Sequence, residues 1–174
     1  MRMITGKNLI GHSLRASGPN IFSSPSRSAG SQEQVSFYEA SPEEIDAAVT
    51  IANEAFAVYR LCAAGVRISF LEKIAQLLSE SKESLVKEAM QETNLPKGRL
   101  EGEVQRTINQ VNLFAGLLRD GSWARAIIDT AQPDRLPLPK PDIRQIQIPI
   151  GVVAVFGASN FPAFGRPRWV FAWR

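Results

Sequence analysis

Apolar residues recur at helical spacing between residues 41 and 121, with polar residues between them. This periodicity predicts four amphipathic helices, each with one buried face. We interpret the four apolar faces as protein core rather than as a ligand groove. The residues expected on them are, in chain order, Ile45, Ala48, Val49, Ala52, Phe56 and Tyr59; Phe70, Leu71, Ile74, Leu77 and Leu78; Leu85, Val86, Ala89 and Met90; and Leu100, Val104, Ile108, Val111, Phe114, Ala115 and Leu118.

Capping residues and prolines set the helix boundaries. The run Ser41-Pro42-Glu43-Glu44 offers a capping serine, a proline suited to the first helical position and a glutamate that can close a capping box. The first helix should therefore begin there and continue to about residue 60. We expect the other three to begin near residues 65, 81 and 96, and the last of them to end at Asp120-Gly121.

Short strands are predicted before the helices. Residues 4–15 are expected to form an edge hairpin with glycine turns, and residues 34–38 alternate enough to form another strand. The segment between them is rich in Ser, Gly, Pro and Gln, which predicts a surface loop that covers Ile21 and Phe22.

Beyond the helices the pattern changes again. Residues 126–129 are strand-like, whereas residues 133–141 hold too many prolines for a helix or a central strand and favour an extended, polyproline-like connection. Residues 143–148 alternate cleanly, so one face of that strand should meet solvent or another subunit.

A continuous apolar run, Ile148-Pro149-Ile150-Gly151-Val152-Val153-Ala154-Val155-Phe156, leads to Gly157-Ala158-Ser159-Asn160-Phe161-Pro162. Such a run is typical of a buried parallel strand, and α/β proteins place their chemistry at the carboxyl ends of these strands. The run lacks the three glycines of a dinucleotide fingerprint. It also lacks the second glycine of a serine elbow, and no histidine follows it. An asparagine held by a tight turn remains, and its side-chain amide can donate to an oxyanion.

Charge and cysteine content exclude several classes of function. The net charge of +3 is carried by the three arginines of residues 163–174; without them, 17 basic residues face 17 acidic ones. We therefore expect no nucleic-acid partner. One cysteine, Cys62, and one histidine, His12, exclude a disulfide framework and a Cys/His metal site, and we interpret both as ordinary structural residues. No apolar run is long enough for a membrane span and no secretory signal is present, so we expect a cytoplasmic protein.

Several segments resemble the NAD(P)-dependent aldehyde dehydrogenases, in the order that this family has them. The resemblance covers about residues 4–162 and is clearest in the capped helix from Ser41, in Phe70-Leu71-Glu72-Lys73-Ile74-Ala75, in Glu88-Ala89-Met90-Gln91-Glu92-Thr93 and in the run that ends at Asn160-Phe161-Pro162. Residues 128–135 and 156–162 look most like the ketoglutarate-semialdehyde (2,5-dioxovalerate) dehydrogenase branch.

The resemblance implies roles for five residues. Asn160 matches the oxyanion-hole asparagine of the family, a catalytic residue. Phe156, Gly157, Ala158 and Ser159 match the turn whose backbone lines the nicotinamide side of the cofactor cleft. No metal is implied. The cofactor of intact members is NAD or NADP, and its binding by this chain alone is doubtful.

The resemblance also implies a fold class and a division of the chain. The fold is expected to be α/β, an incomplete NAD(P)-binding domain with helices, a first parallel strand and a β oligomerisation arm. We divide the chain into N-terminal strands and loop (1–40), a helical part (41–121), the arm (122–148), the first sheet strand (149–162) and an aberrant tail (163–174).

The nucleophilic cysteine and general-base glutamate of the family lie downstream of Pro162. We therefore expect a truncated aldehyde dehydrogenase, inactive alone, which acts on aldehydes such as ketoglutarate semialdehyde in its intact form. The alternative is a non-catalytic fragment that associates with an intact homologous subunit through residues 122–148. The Arg- and Trp-rich residues 163–174 depart from the family, and we attribute them to a frameshift rather than to a membrane-touching tail. Uncovered apolar faces should make the chain poorly soluble.

Overall fold

The computed structural model describes residues 5–23 and 36–156. These residues form short strands on both sides of a run of four helices, which confirms the helices expected from periodicity. The elements, numbered in chain order, are β1 (Asn8–Ile10), β2 (Ser13–Arg15), β3 (Ile21–Ser23), β4 (Ser36–Tyr38), α1 (Pro42–Tyr59), α2 (Ala64–Glu80), α3 (Lys82–Thr93), α4 (Lys97–Asp120), β5 (Ile127–Asp129) and β6 (Ile143–Gln145), with a 3-10 turn at Ser122–Ala124.

Local sequence signals explain the ends of α1 and α4. The Ser41 Oγ atom accepts a hydrogen bond from the Glu44 N–H at 3.2 Å, and the Glu44 carboxylate accepts one from the Ser41 N–H at 3.1 Å. This reciprocal pair is the predicted capping box. At the other end of the helical run, Gly121 adopts a left-handed conformation with φ +77°, and its N–H donates to the Leu117 carbonyl. Glycine suits this position because it has no Cβ to clash.

Helices α2, α3 and α4 form one core. Its central residue, Leu100, is 0% exposed, and α4 contributes most of the buried side chains. The helices pack pairwise, with α4 against both α2 and α3. The buried residues of this core are Leu71, Ala75, Val86, Leu100, Val104, Ile108, Val111 and Ala115.

The predicted burial of the apolar face of α1 is wrong in this structure. Ile45 and Val49 remain 54% and 55% exposed, and the buried residue of α1 is Glu44. The helix packs against β1 and contributes no residue to the core of α2, α3 and α4. Periodicity identifies which face of a helix is apolar, but the elements that cover that face come from elsewhere in the chain. Phe70, Leu77 and Phe114 are likewise 44% to 50% exposed.

The N-terminal strands form two antiparallel pairs. The predicted hairpin is confirmed: β1 pairs with β2 around a turn that contains Gly11 and His12. Strand β3 pairs with β4, and the rings of Phe22 and Phe37 lie 5.5 Å apart. Ile21 and Phe22 are 64% and 57% exposed, so the prediction that a surface loop covers them is wrong. Both belong to a strand because β4 supplies their backbone partners.

Residues 122–148, the segment that we call the arm, contain the pair β5–β6, with Ile128 opposite Arg144. The proline-rich connection between these strands is not extended, contrary to the prediction. Gln132 and Lys140 pair antiparallel through two backbone hydrogen bonds, and the Lys140 ammonium contacts the Asp129 carboxylate. The connection is therefore a loop that is closed at its base, because Gln132 and Lys140, near its two ends, are hydrogen-bonded to each other.

The strand predicted after the arm is not formed in its described part. Residues 149–156 have no regular secondary structure. A parallel strand needs a neighbour to receive its backbone hydrogen bonds, and no described strand pairs with this segment.

Candidate functional site

The sequence places the candidate site at the end of the apolar run. Of the five predicted site residues, the structure describes Phe156, which is 95% exposed. Asn160 and residues 157–159 lie outside the described residues, as do the predicted tail at residues 163–174 and most of the loop at residues 24–35. The described residues therefore do not test how the predicted site residues lie relative to one another.

The approach to the site is anchored at the end of the arm. The Gln147 N–H donates to the Ala124 carbonyl at 2.8 Å, which holds the chain beside the 3-10 turn. Gly151 then adopts φ +117°, a conformation that a residue with a Cβ rarely adopts. The chain consequently departs from an extended path at Gly151, inside the segment predicted as a strand.

Of the residues that the sequence predicts for the nicotinamide side of a cofactor cleft, the structure describes Phe156. Such a cleft is lined by backbone groups at a strand end. Residues 149–156 form no strand and the Phe156 side chain is exposed, so the described part of this segment does not itself form that arrangement.

The thiol lies apart from this segment in sequence. Cys62 follows the end of α1, and its Sγ atom contacts the Val58 carbonyl oxygen at 3.6 Å.

The neighbouring Tyr59 is partly buried. Burial raises the pKa of its hydroxyl, while the positive charge of Arg67 acts in the opposite direction. The Arg67 guanidinium lies 5.6 Å from the ring centroid of Trp123. This contact joins α2 to the 3-10 turn, so we assign Arg67 and Trp123 a packing role.

Sequence reasoning did not foresee the surroundings of Glu44. The pattern assigned it to a helix cap, but its carboxylate also accepts hydrogen bonds from Asn8 and Ser17. The hydrogen bond from the Ser17 hydroxyl, more than any other cause, holds the pKa of Glu44 below its ordinary value of 4.5. No local signal could have revealed these partners, because they lie 27 and 36 residues away in sequence.

Neither a metal-binding group nor a membrane-spanning helix is found in the described part of the chain. Residues 5–23 and 36–156 hold no group of three His, Cys, Asp or Glu side chains that could bind a metal ion. None of the helices there is both long and apolar enough to cross a bilayer.

The family of the chain follows from comparison with known proteins. Residues 23–167 match the profile of the aldehyde dehydrogenase family, which is more than half of the chain. The chain belongs to this family, and intact members of the family use NAD or NADP. The matched range includes Asn160 and extends five residues beyond Pro162, into the predicted aberrant tail.

Two curated relatives are named for the same substrate. The chain is 39% identical to alpha-ketoglutaric semialdehyde dehydrogenase 2 of Azospirillum brasilense over 160 residues. This matched region covers 91% of this chain and 30% of the relative. It is 47% identical over 126 residues to alpha-ketoglutaric semialdehyde dehydrogenase of Acinetobacter baylyi, which covers 72% of this chain and 24% of the relative. The chain thus spans about 30% of the length of the first of these relatives.

The fold also matches a solved structure. A NAD-dependent benzaldehyde dehydrogenase from Corynebacterium glutamicum superposes with a TM-score of 0.66 at 20% identity, over 75% of this chain and 28% of that protein. The helices and short strands therefore correspond to part of an aldehyde dehydrogenase fold, which confirms the predicted fold class. At this identity the similarity concerns the fold alone.

Proposed function

We propose that this chain is part of an NAD(P)-dependent aldehyde dehydrogenase whose substrate is alpha-ketoglutaric semialdehyde. The observation that carries the proposal is the identity of 39% and 47% to two relatives that bear the name of this substrate. The family match supports it, because it includes the asparagine that sequence reasoning selected.

In this proposal the side-chain amide of Asn160 stabilises a developing negative charge. When a thiolate adds to the aldehyde carbonyl, the carbonyl oxygen becomes an oxyanion, and an amide N–H directed at it lowers the barrier. We propose the backbone of residues 156–159 for the nicotinamide side of the same site.

We further propose that the 174 residues have no dehydrogenase activity by themselves. Their one thiol, Cys62, contacts a backbone carbonyl at the end of α1, in a segment that does not match the nucleophile of the family. Without a nucleophile the covalent route is absent. The purified chain, mixed with alpha-ketoglutaric semialdehyde and NAD or NADP, should give no increase in absorbance at the wavelength of the reduced cofactor. Aldehyde-dependent reduction at a rate above the enzyme-free control would refute this.

A chimaera tests whether this chain can serve as part of such an enzyme, and it tests the role of Asn160. Residues 1–162 of this chain replace the matching residues of the Acinetobacter baylyi relative, and oxidation of alpha-ketoglutaric semialdehyde is measured. We expect activity, and we expect Asn160→Ala to lower kcat by about 100- to 1000-fold, the usual cost of one oxyanion donor. Asn112→Ala, the same change on an exposed position of α4, is the control and should leave kcat unchanged. Equal activities in the two variants would refute the role of Asn160.

A second candidate function is association of the chain with an intact homologous subunit through the arm. Exposed apolar side chains on both faces of β5–β6 favour it, since Ile128 is 68% exposed and Ile143, on the opposite face, is 51% exposed. Exposed apolar surface of this kind is typical of an interface.

Co-purification tests this second candidate. The chain should be retained on a column that carries the tagged Acinetobacter baylyi relative, and Ile128→Glu with Ile143→Glu should abolish its retention. Leu113→Glu with Leu117→Glu places the same two charges on exposed leucines of α4, outside the arm, and should have no effect. If the α4 variant weakens retention as much as the arm variant does, association is not specific to the arm.

A further inference from the structure

A single carboxylate connects residues 5–23, which we call the strap, to the first turn of α1. Glu44 is 2% exposed, and both of its oxygens accept hydrogen bonds. Oε1 accepts from the Ser17 N–H at 3.0 Å and from the Ser17 hydroxyl at 2.6 Å. Oε2 accepts from the Ser41 N–H at 3.1 Å and from the Asn8 side-chain amide at 3.4 Å. The same group therefore caps the helix and holds two points of the strap.

The backbone of the strap lies very close to the strand and turn that precede α1. A Cβ atom on Gly6 would meet the Ser36 carbonyl oxygen, and one on Gly18 would meet the Glu39 carbonyl oxygen, both at distances that real Cβ atoms do not show. The Glu39 N–H donates to the Asn20 carbonyl at 3.0 Å. The strap therefore contacts residues 36–39 near both of its ends, and we expect these contacts to form and break together.

The strap and the helical core are packed separately. Ile10 of β1 is buried, but it does not belong to the core of α2, α3 and α4. The contact of the Tyr59 and Phe70 rings, with centroids 6.0 Å apart, links α1 to α2. Opening of the strap therefore removes no side chain from the core.

We propose that Glu44 is a latch that makes docking of the strap and capping of α1 one two-state event, which opens while α2, α3 and α4 stay folded. A buried carboxylate that loses part of its donors pays a desolvation cost that the remaining bonds do not offset. The intermediate states, with the strap half-attached, are therefore disfavoured. Glu44 acts here as a positioning residue for the strap.

Hydrogen exchange of the whole chain, read by mass spectrometry, tests the latch. Glu44→Gln keeps the side-chain length but replaces one acceptor oxygen by a donor. We expect exchange to accelerate together, by about tenfold or more, at residues 8–17 and at the first turn of α1, with no change in α4. Glu43→Gln is the matched control: it removes the neighbouring charge from the same turn, where the Glu43 carboxylate interacts with Ser41, and should leave residues 8–17 protected.

Ser17→Ala is a second variant for the same test, and it also serves if Glu44→Gln does not fold. It leaves the capping box intact and removes one donor to Oε1. Because coupling between two sites is reciprocal, exchange at the Glu44 and Ile45 amides should still accelerate. Faster exchange confined to residues 8–17 in this variant would overturn the latch, as would equal acceleration in α4 in either variant.

Discussion

The fully buried leucine of α4 gives the sharpest prediction about stability. Leu100 is 0% exposed, and it packs within the core that α2, α3 and α4 share. Leu100→Ala removes three carbon atoms from this core. At about 0.8 kcal/mol per buried methylene, the transfer term is about 2.4 kcal/mol. The cavity left between the helices raises the expected loss in the free energy of unfolding to about 3–5 kcal/mol.

Leu113→Ala in the same helix is the matched control. Leu113 is 59% exposed, so less than half of its side chain is removed from water in the folded state. Its truncation should cost about 1 kcal/mol or less. Leucine and alanine are both good helix formers, and helix propensity therefore does not account for a difference between the two variants.

Urea unfolding followed by ellipticity at 222 nm, at protein concentrations where sedimentation shows a monomer, measures the two losses. With a slope of about 1–3 kcal/mol per molar urea, Leu100→Ala should lower the midpoint by about 1–3 M, or abolish the transition. Leu113→Ala should shift it much less. If the two midpoints fall equally, the assignment of Leu100 to the centre of the core is refuted.

Four other predictions follow from the structure. Gly102→Ala lies in α4 with nothing within 4 Å of the added Cβ, and should stabilise the chain by about 1 kcal/mol in the same urea assay; destabilisation would show hidden crowding. Gly18→Ala places its Cβ against the Glu39 carbonyl and should cost about 1–3 kcal/mol; an unchanged midpoint would contradict the close approach. The pKa of Glu44 is lower in the folded chain than its ordinary value, so its contribution to stability is present above pH 4.5 and lost as the pH falls through the folded pKa. The urea midpoint should therefore fall more steeply below pH 4.5 in the unmodified chain than in Glu44→Gln, and parallel profiles would exclude this linkage. Finally, the chain should self-associate in sedimentation velocity because of apolar surface such as Ile128, and Ile128→Lys should reduce this; a monodisperse chain with a sharp, cooperative thermal transition would count against it.

The helices could be predicted closely because their signals are local. Ser41 and Glu44 form the predicted capping box, and Gly121 ends α4 with the positive φ that glycine tolerates. A capping bond joins residues three positions apart, and the sequence contains all of it. The boundaries accordingly differ from the predicted ones by a residue or two.

Burial was less predictable, because it depends on which elements meet. The apolar face of α1 has the same periodicity as that of α4, yet Val49 is 55% exposed while Val104 is 5% exposed. Helices α2 and α3 cover α4, and the described chain places no such cover on the outer face of α1. Likewise Gly151–Phe156 has the composition of a strand, but it remains irregular without a paired neighbour.

The sequence by itself determined the family and the order of the helices, since both depend on segments whose residues are close together in the chain. It also led to Asn160, whose role stays a prediction. The tertiary structure alone decided that Leu100 is the centre of the core, that Glu44 joins Asn8 and Ser17 to α1, and that the arm closes through Gln132 and Lys140. These contacts connect residues that are distant in sequence or distinguish between equivalent apolar faces. The physical reason is that hydrogen bonding and packing between elements are set by folding in space, which no local pattern records.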